Sequence, residues 1–155
     1  MKSREQTVRV TKEFRFEMAH LLTDYDGLCR NIHGHSYVLQ VTVKGKMERN
    51  PDSPKNGMVL DFGLLKKIVN EQIVDRLDHS LMIRRATPFA EALDALPVST
   101  DMRIVGVDYQ PTCENMVCDF AEKIEQRLPE GVSLCAVRLH ETATSYAEWR
   151  AEDNL

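Results

Sequence analysis

An α+β domain, with a four-stranded antiparallel sheet and two helices on one of its faces, is the architecture that three observations in the 155-residue sequence predict. Apolar residues recur at every second position over two stretches near the N-terminus. They recur at three- and four-residue spacing over two later stretches. Near the C-terminus the period returns to two. Strands project alternate side chains to opposite faces and helices repeat every 3.6 residues, so the order reads strand, strand, helix, helix, strand, strand. The length suits one domain of roughly 100–200 residues, expected to span 1–155, which buries about 70% of its unfolded surface.

Residues 8–18 form the first strand. Val8, Val10, Phe14, Phe16 and Met18 share one face, and Arg9, Thr11, Glu13, Arg15 and Glu17 share the other. The second strand, 35–44, aligns Tyr37, Leu39, Val41 and Val43. Between them, the polar stretch Asp24–Asn31 contains Gly27 and reads as a loop. After a second loop, Arg49–Gly57, the residues Leu65, Ile68, Val69, Ile73 and Leu77 fall on one helical face, with Asp61 as the N-cap. A second helix runs from Cys113 to Leu128 behind Pro111 and the cap Thr112. Gly131–Glu141 and Ser145–Arg150 complete the sheet. The stretch 84–108 follows neither period and reads as an insertion.

Composition narrows the function classes. Hydrophobic content of 43% with 28% charged residues describes an ordinary globular chain. A net charge of −4 argues against broad nucleic-acid binding, which needs a basic surface. The N-terminal residues lack the apolar run of a secretory signal, and no stretch approaches the ~18 apolar residues of a membrane span. Cys29, Cys113, Cys118 and Cys135 form neither a CxxC pair nor a secreted disulfide pattern, so reduced thiols in the cytoplasm are expected.

The chemistry concentrates in three histidines. His33 and His35 stand two apart at the start of a strand, so both imidazoles face one side. His20 ends the preceding strand, where antiparallel pairing brings it alongside. Three neutral imidazoles and one open position describe a catalytic zinc site. Spacing leaves an alternative open: Cys29 as a fourth ligand closes the site and makes the zinc structural.

Six motifs occur in order: Phe16-Glu17-Met18-Ala19-His20; Cys29 with His33-Gly34-His35; Val59-Leu60-Asp61-Phe62; Leu77-Asp78-His79; Pro111-Thr112 with Glu114-Asn115; and His140-Glu141-Thr142. Together they resemble the 6-pyruvoyltetrahydropterin synthase superfamily from about residue 12 to 150. The three-residue gap between Cys29 and His33 resembles its bacterial 6-carboxytetrahydropterin synthase branch, of the queuosine pathway. The resemblance implies the tunnelling fold, a homohexamer, and a lyase reaction on 7,8-dihydroneopterin triphosphate. It implies that His20, His33 and His35 bind zinc, that Cys29, Asp78 and His79 are catalytic, and that Glu141 and Thr112 contact the pterin. Cys113 stands where the family usually has Ser or Thr. The alternatives are sibling activities, pyruvoyltetrahydropterin synthesis or aldolase-like cleavage, and a non-catalytic structural-zinc protein.

Overall fold

The structure, a computed structural model, describes residues 5–96 and 101–155. Two long strands, β1 (Thr7–His20) and β2 (His33–Lys46), pair antiparallel without interruption from Thr7↔Lys46 to His20↔His33. β5 (Val132–Thr142) adds antiparallel to β2, and β6 (Ser145–Arg150) to β5. These are the four predicted strands in the predicted antiparallel arrangement.

The sheet is larger than four strands, which corrects the sequence expectation. β3 (Ser80–Arg84) and β4 (Ile104–Val107) extend it on the far side of β1, giving the order β4-β3-β1-β2-β5-β6. Both run parallel to their neighbours, so the sheet is mixed. β4 comes from the stretch 84–108 that shows no period, and β3 lies just before it, directly after the Leu77-Asp78-His79 motif. β3 is five residues long and has apolar contacts on both faces: Met82 enters the main core, while Leu81 and Ile83 enter a smaller cluster. A strand buried on both faces loses the alternation that would reveal it.

The first predicted helix is a continuous rod. It comprises α1 (Phe62–Val69), a π-helical stretch Asn70–Val74 and a closing turn α2 (Asp75–Leu77). Asp61 caps it, accepting from the Gly63 N–H at 2.8 Å. A short helix, α3 (Pro88–Asp94), joins β3 to β4, the covered crossover that parallel strands require. Residues 97–100 of that crossover lie outside the described residues. α4 (Cys113–Glu125) is the second predicted helix, three residues shorter than expected.

The main core joins one sheet face to the rod and α4. Phe16 stacks on its cross-strand partner Tyr37 at 5.1 Å and meets Phe120 edge-on at 6.4 Å. α3 instead packs its Ala90 with Leu21 and Ile83 in the smaller cluster, on the opposite side of β3 from Met82. Helices therefore cover both faces, not one.

Candidate metal centre

Along β1 and β2 the core-facing rows change character at one end. Phe14↔Leu39 and Phe16↔Tyr37 are apolar pairs; Met18↔His35 and His20↔His33 follow on the same face. The strand period that builds the core thus carries three imidazoles to its rim. Their potential ligand atoms lie within 4.8 Å of one another, the group of this kind found among the described residues.

Backbone carbonyls set two of the tautomers. The His20 Nδ1–H donates to the Pro111 carbonyl at 2.8 Å, and the His33 Nδ1–H to the Asn31 carbonyl at 2.7 Å. Each Nε2 then carries a lone pair, and the two Nε2 atoms face each other at 3.1 Å. The His35 Nε2 is buried with no hydrogen-bond partner. A Glu141 carboxylate oxygen adds negative charge 3.5 Å from His20 Nε2 and 3.6 Å from His35 Nε2.

This donor set fits a metal ion. Facing lone pairs and an orphaned buried nitrogen are unfavourable unless a cation lies between them. Two nitrogens bound at about 2.0–2.1 Å to one tetrahedral zinc stand roughly 3.3 Å apart, close to the spacing of His20 and His33. Burial pushes the His20 and His35 imidazoles below the usual histidine range, favouring the neutral, ligating form; the Glu141 charge opposes it. The paired carbonyls are the outer shell that fixes a ligand ring's orientation.

The other predicted site residues are distributed around this centre. Cys29 is exposed on a 3-10 turn (Leu28–Arg30) and does not join the histidine group. Glu141 lies directly against the triad. Thr112 caps α4, its hydroxyl accepting from the Asn115 N–H at 3.3 Å, while the Pro111 carbonyl before it holds His20. Cys113 donates its thiol to the Leu139 carbonyl at 3.1 Å, and burial pushes its pKa up to about 11.

Asp78 and His79 form a pair of their own where the rod ends. The Asp78 carboxylate accepts the Glu17 N–H at 2.9 Å and lies 3.0 Å from His79 Nδ1. The His79 N–H returns a bond to the Glu17 carbonyl at 2.6 Å, with His79 in the left-handed region at φ 59. The Glu17 N–H, before His79 itself, holds the Asp78 carboxyl below its usual range. His79 opens on a groove of about 400 Å³ with Glu17, Ala19, Gly34 and Ser36, the outward face of β1 and β2. His35 is the one residue shared by this groove and the triad.

Several supporting groups carried no sequence signal. The Pro111 and Asn31 carbonyls belong to the backbone and have no side-chain signature. Gln110 clamps the loop that carries Cys29: its amide donates to the Thr23 carbonyl at 2.7 Å and accepts from the Thr23 N–H and hydroxyl at 3.2 and 3.0 Å.

Known proteins resemble this chain over nearly its whole length. Residues 9–152 match the family described as 6-pyruvoyl tetrahydropterin synthase. The chain is 36% identical to the 6-carboxy-5,6,7,8-tetrahydropterin synthase of Haemophilus influenzae, over 92% of this chain and 98% of that one. It is 32% identical to the protein of that name from Aquifex aeolicus, with the same coverage. The fold is shared with an uncharacterized protein from Wolinella succinogenes (TM-score 0.72, 22% identity, 94% of this chain and 99% of that one). It is shared also with the 6-pyruvoyl tetrahydropterin synthase of Caenorhabditis elegans (TM-score 0.68, 24% identity, 96% and 98%). The match over nearly the whole length, on a chain that gathers His20, His33 and His35 at one strand end, makes this protein an enzyme of the 6-pyruvoyl tetrahydropterin synthase family.

Proposed function

We propose that this enzyme is a zinc-dependent 6-carboxy-5,6,7,8-tetrahydropterin synthase. It converts 7,8-dihydroneopterin triphosphate and water to 6-carboxy-5,6,7,8-tetrahydropterin, acetaldehyde and triphosphate, in the cytoplasm, for queuosine (7-deazapurine) biosynthesis. The observation that carries the reading is the convergence of three imidazole nitrogens, two with tautomers set by carbonyls, in a chain similar to enzymes of that name.

His20, His33 and His35 hold the zinc. When bound, zinc polarises hydroxyl or carbonyl oxygens and so acidifies adjacent positions. Glu141 accepts the side-by-side N–H groups of the pterin edge, which a carboxylate suits. Its oxygen lies within 3.6 Å of two ligand nitrogens, so a pterin held there has its side chain beside the metal. Thr112, at the start of α4, borders the pterin. Cys29 moves the carbon-bound proton as acid and base, and Asp78 sets the tautomer and basicity of His79 for the same task. The protein works as a homohexamer, a reading supported by the two open sheet edges, β4 and β6.

Product analysis tests the whole reading. The zinc-loaded protein is incubated with 7,8-dihydroneopterin triphosphate, and pterins and aldehydes are separated by mass. The expected result is the 6-carboxy product with trapped acetaldehyde. A 6-pyruvoyl product, or a 6-hydroxymethyl pterin with glycolaldehyde still carrying the triphosphate, would assign a sibling activity instead.

A further inference from the structure

The outward face of the sheet holds a recess built from residues that the imidazole centre does not use. It encloses about 490 Å³. A β-bulge shapes it: Thr42 pairs with Ala136 and Val43 with Leu134, which leaves Cys135 as the extra residue. Thr42, Cys135 and Ala136 supply short side chains here, and four long cations, Arg9, Lys44, Arg138 and Arg150, line it as well.

Two of these cations are held in place. Arg138 bonds Glu148 Oε1 at 3.2 Å and lies 4.4 Å from the centroid of the Tyr146 ring. The other oxygen of Glu148 accepts from Arg150 at 2.9 Å, and Arg150 reaches Glu152 at 3.2 Å. The remaining two are not neutralised. Arg9 and Lys44 are direct cross-strand partners on one face, and no ion pair among the described residues includes either. Like charges placed directly opposite each other destabilise a strand pair. The recess therefore carries two more cations than carboxylates, in a chain whose net charge is −4.

We propose that this recess is an anion site for an oligophosphate group. Its cations are spread over four neighbouring strands spaced about 4.8 Å apart. A chain of phosphates reaches across such a span, whereas a single orthophosphate contacts only part of it. Arginine forks suit phosphate oxygens, and an anion between Arg9 and Lys44 removes their repulsion. The site is distinct from the imidazole centre. Thr42 lies seven residues along β2 from His35, roughly 23 Å, and on the opposite face. The inference therefore does not depend on the activity proposed above.

Calorimetric titration of the full chain with sodium tripolyphosphate, at low salt, tests it. Saturable binding near one equivalent per chain is expected, weakening as salt rises. Arg9→Ala and Lys44→Ala should each weaken binding about tenfold or more, the size of one lost charge-assisted bond. Both variants should melt no lower than the parent, since each removes a like-charge contact and leaves the triad intact. Lys67→Ala, an exposed cation on the rod, serves as the control and should bind as the parent does. Absence of saturable binding, binding by Arg9→Ala and Lys44→Ala as tight as the parent's, or an equal loss in Lys67→Ala overturns the proposal.

Discussion

At the scale of single residues, the centre is defined by lone pairs more than by proximity. Donation from both Nδ1 atoms to carbonyls leaves the Nε2 atoms of His20 and His33 with nothing to share at 3.1 Å but a cation. His33→Ala should therefore abolish zinc binding and activity together, read by elemental analysis and turnover on one preparation. Cys29 separates the catalytic from the structural reading. It is exposed and outside the ligand group, so Cys29→Ala should keep zinc, fold and assembly. Turnover should fall by roughly 10²–10⁴, the contribution of a positioned acid–base group. Loss of zinc with loss of fold would make the sulfur a ligand; full activity would leave Asp78 and His79 as the remaining base. The three histidines were legible because strand period and an antiparallel turn suffice to align them. The Pro111 carbonyl was not, since it reaches His20 across 91 residues of chain and has no side-chain signature.

At the scale of elements, caps and periods were legible where burial is one-sided. β1 and β2 show alternation because their outward rows are polar, and the helical stripe on 65–77 survives the π-helical stretch because Ile73 and Leu77 still face the core. β3 and β4 escaped detection for the opposite reasons: the first is apolar on both faces, and the second is four half-buried residues around Gly106. The Asp78–His79 pair was legible as a motif, but not its position, since that depends on β3 starting beside Met18, which sets the pair against the Glu17 backbone. Thr112 joins this scale to the previous one. Its hydroxyl caps α4 while its neighbour Pro111 orients His20. Thr112→Ala should cost about 1 kcal/mol of stability, the usual worth of a side-chain cap, measured by denaturant unfolding. Thr112→Ser should restore it. If Thr112 also borders the pterin, the alanine variant should raise KM for the pterin, and the serine variant should recover it.

At the scale of the whole molecule, the sheet ends in two strands that each have a single neighbour among the described residues, β4 and β6. Open edges are pairing sites, and a polar outward face does not cover them. Light scattering at micromolar concentration should find an assembly of six 17.8 kDa chains; an active monomer would contradict the proposed hexamer. The imidazole cluster lies away from those edges, at the ends of the interior strands β1 and β2, where a bound metal would tie the two longest strands together and link metal to stability. Burial holds the His20 and His35 pKa values below the usual histidine range, about 6.5 in an unfolded chain. Between the depressed and the ordinary values the unfolded chain binds more protons than the folded one, so stability falls as pH drops through that window. Above it both forms are neutral and the slope vanishes. The proposed zinc would act in the same direction, because it would bind the neutral imidazoles of the folded chain alone and stabilise in proportion to its saturation. Thermal unfolding of metal-free protein between pH 7.5 and 5.5 should show a falling midpoint. Added zinc should raise the midpoint at pH 7.5, and the increment should shrink toward pH 5.5. His33→Ala should erase the zinc increment but keep the metal-free slope, because buried His20 and half-buried His35 remain. A zinc increment that is independent of pH, or one that survives His33→Ala, would place the metal on other ligands.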